Sequence, residues 1–206
     1  MIVIVDYGMG NLRSVQKAIE HVGSRARISS SASEIACASS LILPGVGAFG
    51  AAAANLRKKK LIKPILAHAA SQKPFLGICL GFELLFQTST EGGLHKGLGI
   101  LEGTVMRFPF KGSSAMPVPH MGWNKIIVSD PATQFEKLCA DKYFYFVHSY
   151  CVKSSDRSAR FASADYGIRF KAAVQKKNIY GCQFHPEKSG EDGIKIIKYF
   201  VKKGNT

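Results

Sequence analysis

The chain has 206 residues, 46% of them hydrophobic, and 28 Lys+Arg against 14 Asp+Glu, a formal net charge of +14. This apolar content, with 20% charged residues, excludes a disordered chain and suffices for one large core. Five dispersed cysteines (Cys37, Cys79, Cys139, Cys151, Cys182) exclude a disulfide framework and make the reducing cytoplasm the expected compartment.

Ile2 to Val5 reads as a buried strand from its β-branched content. Tyr7-Gly8-Met9-Gly10 is a turn, and Asn11 caps a helix whose Leu12, Val15, Ala18, Ile19 and Val22 keep the 3.6-residue period until Gly23. A strand follows over Arg25 to Ser29, then a short helix over Ser33 to Cys37 and a strand over Ser40 to Leu43. Helical stretches run to Ala70. Pro74 to Ile78 is the next strand, and Leu80 to Gln87 is helical.

Ile35 to Leu56 carries no charge, but Pro44-Gly45-Val46-Gly47 and Gly50 break it into strand, loop and helix start rather than a membrane span. The apolar run at the N-terminus stops at Asp6 with no basic residue before it, so a leader is not expected.

The β-α-β-α order is that of a doubly wound, mostly parallel sheet. Beyond residue 100 the pattern changes to strands over Thr104 to Phe108, Asn124 to Ser129, Tyr143 to Val147, Arg160 to Ala164, Ala172 to Gln175 and Asn178 to Phe184. Antiparallel additions are therefore expected in the C-terminal half, in a mixed sheet or a second small one. A last helix spans Glu191 to Lys202, with Ile194, Ile197, Phe200 and Val201 inward. No repeat or linker divides the chain, and residues 1–206 are expected to form a single domain.

In such sheets function gathers at the C-terminal ends of the parallel strands. Gly77-Ile78-Cys79-Leu80-Gly81 has the strand–G-x-C-x-G–helix form of a nucleophile elbow. Side chains at 77 and 81 would collide in so sharp a turn, and the N-terminus of the helix from Leu80 would favour a thiolate on Cys79. The competing reading is a core cysteine in a Gly-rich turn.

A thiol nucleophile needs a proton acceptor. His21 and His68 lie on amphipathic helices and are expected at the surface. His185 ends a strand, and Pro186 should keep the segment extended, with Glu187 on the same side to fix the imidazole tautomer. Cys182-x-x-His185 resembles a metal-ligand spacing, but the two point to opposite faces of a strand and no second close pair exists, so no metal is expected. Leu80 N–H and a peptide of the Gly45-Val46-Gly47 turn are candidate oxyanion donors, the glycines letting that peptide turn inward or flip away.

Several segments together resemble the class I (triad-type) glutamine amidotransferases over nearly the whole chain. They are 6–12 (Asp-Tyr-Gly-Met-Gly-Asn-Leu), 43–49 (Leu-Pro-Gly-Val-Gly-Ala-Phe), the elbow itself, Gly97-Leu98-Gly99, Pro119-His120-Met121-Gly122-Trp123-Asn124, 146–150 (Phe-Val-His-Ser-Tyr) and 183–189 (Gln-Phe-His-Pro-Glu-Lys-Ser). Within that family the nearer resemblance is to glutaminase subunits of imidazole glycerol phosphate synthases, to which the His-Met-Gly-Trp-Asn segment is specific.

The resemblance implies a flavodoxin-like α/β fold and hydrolysis of glutamine through a γ-glutamyl thioester on Cys79. His185 would be base then acid, Glu187 its orienter, and the amides of Val46 or Gly47 and of Leu80 the oxyanion donors. No cofactor is implied. Gly45, Glu83, Glu91, Ser149 and Tyr150 fall at substrate positions, and Asn11, Trp123 and Lys188 at partner-facing or gating positions. Glu83 stands where the family has Gln; a carboxylate there accepts from the substrate ammonium but cannot donate. The implied partner is a (β/α)8-barrel cyclase that consumes the ammonia in histidine biosynthesis, with neither nucleic acid nor membrane involved.

Related glutaminases feed sugar amidotransferases of surface polysaccharide synthesis, and the charge and Glu83 keep that alternative open. Two other classes stay open as well: a cysteine peptidase or chaperone-like hydrolase on a similar elbow, and a phosphate or nucleic-acid binding module. The basic clusters Arg57-Lys58-Lys59-Lys60, Lys176-Lys177 and Lys202-Lys203 have no aromatic interleaving, and a solvated basic surface is the preferred reading.

Overall fold

The computed structural model describes residues 1–110 and 116–204. The chain runs β1 (Ile2–Val5), α1 (Leu12–His21), β2 (Ala26–Ser29), α2 (Ala32–Cys37), β3 (Ser40–Gly45), α3 (Phe49–Lys58), α4 (Ile62–Ala70), β4 (Phe75–Cys79) and α5 (Leu80–Leu84). It continues through β5 (Phe86–Ser89), β6 (His95–Lys96), β7 (Leu101–Arg107), β8 (His120–Lys125), α6 (Gln134–Cys139), β9 (Tyr143–His148) and β10 (Tyr150–Lys153). Last come β11 (Arg160–Tyr166), β12 (Ile168–Lys176), β13 (Ile179–Cys182), a 3-10 turn (Pro186–Lys188) and α7 (Gly190–Lys203).

Among the described residues the main sheet has the order β2-β1-β3-β4-β13-β12-β10-β7-β5-β6, with β11 paired to β12. Its first five strands in that order are parallel, and β12, β10 and β7 continue it antiparallel. The doubly wound sheet with antiparallel additions is thus present. A separate ribbon joins β8 and β9, His120 opposite His148 and Trp123 opposite Tyr145.

Alternation along β1 divides the core in two. Ile2 and Ile4 face Val15 and Ile19 of α1 and Ile196, Ile197 and Phe200 of α7. Val3 and Val5 face Phe49, Ala52 and Leu56 of α3 and Ile65 of α4. Strands buried on both faces in this way are expected of a parallel sheet covered by helices. The caps follow the sequence: Asn11 accepts from Ser14 N–H (3.3 Å), and Thr133 with Glu136 forms a capping box on α6.

Several expectations are corrected. The helix from Leu80 stops at Leu84, because Phe86 and Gln87 are drawn into β5 beside β7. The strand expected over Asn124 to Ser129 lies four residues earlier, over His120–Lys125, leaving Ile127 in an isolated bridge to Ser163. His68 is buried, not at the surface: it packs edge-on to Phe75 and pairs Nε2 with the Pro74 carbonyl at 3.2 Å. Pro186 does not keep its segment extended but opens the 3-10 turn, where its missing N–H costs nothing. All five cysteines are free, and no described helix is long and apolar enough to cross a membrane.

Candidate active site

The elbow is strained where the sequence places it. Cys79 has φ 54° and ψ −112°, a conformation that L-residues other than glycine rarely adopt. The turn closes because its flanks have no side chains. A Cβ on Gly77 would lie 2.7 Å from the Gly81 carbonyl oxygen, and one on Gly81 would run into the Leu43 carbonyl.

Register brings the other parts to this point. Gly45, the last residue of β3, pairs with Cys79, so Val46 and Gly47 emerge directly beside the thiol. On the other flank Cys182 of β13 pairs with Ile78, so the chain from Gln183 to Glu187 passes Cys79. His185 Nδ1 is 2.8 Å from Glu187 Oε1, and both side chains are buried. The carboxylate accepts a hydrogen bond from Nδ1–H, which leaves Nε2 with its lone pair. Nε2 is buried without a hydrogen-bond partner among the described residues. The backbone is held in place: His185 N–H donates to Tyr145 O at 2.9 Å, and Ser189 Oγ donates to His185 O at 2.6 Å.

The thiol is not the resting thiolate that the helix argument anticipated. Burial pushes its pKa well up, and negative charge on Glu83 or Glu187 would add to this; hydrogen bonds from Leu80 N–H and Gln183 act in the opposite direction. α5 has only five residues, so its dipole is small against desolvation. Cys79 Sγ makes a weak contact with Val147 O at 4.0 Å.

A cavity of about 410 Å³ opens at the thiol, lined by Val46, Gly47, Cys79, Leu80, Glu83, Glu91, Pro119, Val147, His148, Ser149 and Tyr150. Depressions of about 450 Å³ at β7, β10 and β12, about 730 Å³ beside α1 and about 430 Å³ at α1 and α7 are larger, but none is lined by Cys79; His185 and Glu187 are not among the residues that line the thiol cavity. Chemistry rather than size selects the site.

Of the substrate positions, Glu83, Glu91, Ser149 and Tyr150 line this cavity. Gly45 does not: it lies behind the wall, where a Cβ would strike the Tyr7 hydroxyl. Glu91 Oε2 accepts from Phe49 N–H at 2.6 Å, so part of its capacity is spent on α3. Asn11 is exposed at the start of α1. Trp123 is 56% exposed and meets Tyr145 edge-on, with Lys188 Nζ over the same ring at 6.0 Å.

Sequence reasoning gave no role to Gln183, Tyr7 or the His120–His148 pair. Gln183 Nε2 donates to Glu83 Oε1 at 2.9 Å across a separation of 100 residues. Tyr7 is fully buried at the elbow with its hydroxyl unpartnered among the described residues. Gln183 follows β13, whose parallel pairing beside β4 was not anticipated: its strand was expected among the antiparallel additions of the C-terminal half.

The model of the class-I glutamine amidotransferase family matches residues 3–203. The chain is 52% identical over 201 residues to the imidazole glycerol phosphate synthase subunit HisH of Rhodopirellula baltica, covering 98% of this chain and 97% of that protein. It is 49% identical over 206 residues to the HisH subunit of Methanosarcina barkeri, covering 97% of each. Among solved structures, a glutamine amidotransferase superposes with a TM-score of 0.77 at 17% identity over 100% of both chains. A chain of PurLQS from Thermotoga maritima gives 0.71 at 20% identity over 98% of this chain and 97% of that one.

Proposed function

The chain belongs to the class I glutamine amidotransferases, and from that membership we propose how its residues work. It is a glutaminase subunit of imidazole glycerol phosphate synthase, hydrolysing L-glutamine to glutamate and ammonia, with residues 1–206 acting as one amidotransferase domain. The observation that supports the residue assignment is the strained Cys79 at the end of β4, flanked by β13, whose continuation carries a buried His185 with Nδ1 held by Glu187 and Nε2 unpartnered among the described residues.

When glutamine fills the cavity, His185 Nε2 takes the thiol proton and Sγ attacks the side-chain amide carbon. Leu80 N–H and the Val46 or Gly47 N–H receive the developing oxyanion. Collapse breaks the C–N bond, His185 returns its proton to the leaving nitrogen, and ammonia departs. Water then attacks the thioester, with His185 again as base, releasing glutamate and the thiol. Burial disfavours the thiolate, so transfer of the thiol proton to His185 accompanies the attack.

The partner is a cyclase subunit that uses the ammonia. Exposed apolar residues favour a partner on this side: Val46 (42% exposed) at the cavity rim, and Met121 (62%) and Trp123 on the solvent face of β8. The polysaccharide alternative is not favoured, since relatives matching nearly the full length at about half identity are HisH subunits. The test is to mix the purified chain with the histidine-pathway cyclase and follow glutamine-dependent formation of imidazole glycerol phosphate. Product in the mixture and none without this chain supports the reading; no complex and no product overturns it.

A further inference from the structure

Glu83 lies on α5 with 5% of its surface exposed, in the wall of the cavity beside Cys79. Its Oε1 accepts from Gln183 Nε2 at 2.9 Å. The ionisable groups around it are Tyr7 after β1, Cys79 at the end of β4, Glu91 after β5 and Cys151 on β10, with His148 and Tyr150 lining the same cavity and His148 kept neutral by its burial. Each of these is neutral or negative. None of the ion pairs among the described residues involves Glu83. A buried carboxylate with one amide donor and no cation is costly, and such a group keeps its proton.

We propose that Glu83 holds the substrate as a neutral carboxylic acid, with Gln183 donating to Oε1 and the proton on Oε2 offered to an oxygen of glutamine. This rests on the reading of the cavity as the glutamine site. A protonated Glu has the shape of a Gln side chain and, like it, one donating and one accepting end. Ionisation removes the donor. It also places a charge opposite Glu91 and beside the Cys79 thiol, which raises the cost of forming the thiolate. Burial pushes the Glu83 carboxyl up to about 8, the Gln183 hydrogen bond opposes this, and Glu91 adds to it.

The test measures the KM for glutamine against pH in the complex with its cyclase, for the wild type and for Glu83→Gln, whose amide donates at every pH. Taking the ratio of the two removes the ionisation of free glutamine itself. The ratio of wild-type to variant KM rises with pH above about 8, approaching tenfold per unit. Parallel profiles overturn the proposal, as does a wild-type KM that falls with rising pH, the result if an ionised Glu83 accepted from the substrate ammonium.

A second readout is independent of turnover. The infrared carbonyl band of a protonated carboxylic acid, present at neutral pH and lost in Glu83→Gln, is expected; its absence at neutral pH overturns the proposal. A complex that hydrolyses no glutamine at any pH would refute the glutaminase reading instead, and the infrared band would still decide the state of Glu83.

Discussion

His120 Nδ1 lies 2.9 Å from His148 Nε2, with His120 stacked between the rings of Phe146 and Tyr166. His148 Nδ1 is 2.6 Å from the Tyr150 carbonyl, an acceptor only, so that nitrogen carries the hydrogen. His120 Nδ1 therefore donates to His148, and His120 Nε2 accepts from Asn124 Nδ2 at 3.2 Å. Both rings are satisfied as neutral imidazoles, and a proton on His148 would set two donors face to face. The run connects the β8–β9 ribbon, whose outer face carries Trp123, to the Tyr150 wall of the cavity.

Burial pulls His120 down to about 4 and His148 to about 3, the latter helped by the neighbouring His120 and His185. The unfolded chain takes up both protons near the ordinary histidine value of about 6.5, before the folded chain does. Their contribution to stability is therefore fully present above about pH 6.5 and is lost as pH falls toward 4, by at most about 1.4 kcal/mol per pH unit for each ring. His120→Phe keeps the stacking and removes one titrating group. Denaturant titrations should show a shallower acid slope, together with a loss of about 1–3 kcal/mol at neutral pH because His148 Nε2 loses its donor.

Glu187→Gln tests the orientation of His185. The amide is neutral and no longer stabilises the imidazolium formed when the thiol is deprotonated. Glutamine hydrolysis by the complex should lose about 10²–10⁴-fold in kcat with a small change in KM. A loss confined to KM would assign Glu187 to substrate binding instead.

Trp123→Ala tests the partner face. Trp123 is exposed and packs only edge-on against Tyr145, so its removal should cost the isolated chain less than about 1 kcal/mol of stability. Affinity for the cyclase should fall by at least about tenfold, as expected of a buried aromatic anchor at an interface. The isolated chain should turn glutamine over slowly if the Val46–Gly47 peptide, with Gly47 at φ +102°, takes its donating orientation only in the complex. Addition of cyclase and its ribotide ligand should raise the rate, and a fully active isolated chain would contradict this.

The parallel half of the sheet was legible because its strands are apolar on both sides and bounded by turn residues, as in Ile2–Val5 and Phe75–Cys79. The helix boundary at Leu84 was not, since Leu84-Leu85-Phe86 satisfies either a helix or a buried strand, and pairing with β7 decides it. β10 was missed because Tyr150–Lys153 is four residues long and alternates poorly. α6 was missed although Thr133 and Glu136 carry its capping box, a signal that the sequence did offer. In the site, Cys79, His185 and Glu187 were marked by local spacing. The Gln183–Glu83 bond and the low-pKa histidine pair depend on tertiary packing between distant segments, which no local pattern encodes. The same holds for the raised Cys79 thiol, where burial outweighs a short helix.

Covalent chemistry at the Cys79 sulfur is the step on which glutamine hydrolysis depends. The most direct measurement quenches the complex in acid during glutamine turnover and examines the peptides by mass spectrometry. A γ-glutamyl adduct on the Cys79 peptide, absent from Cys79→Ala together with all glutaminase activity, is the predicted result. Sustained hydrolysis by Cys79→Ala, or an adduct on Cys37, Cys139, Cys151 or Cys182 in place of Cys79, would contradict it.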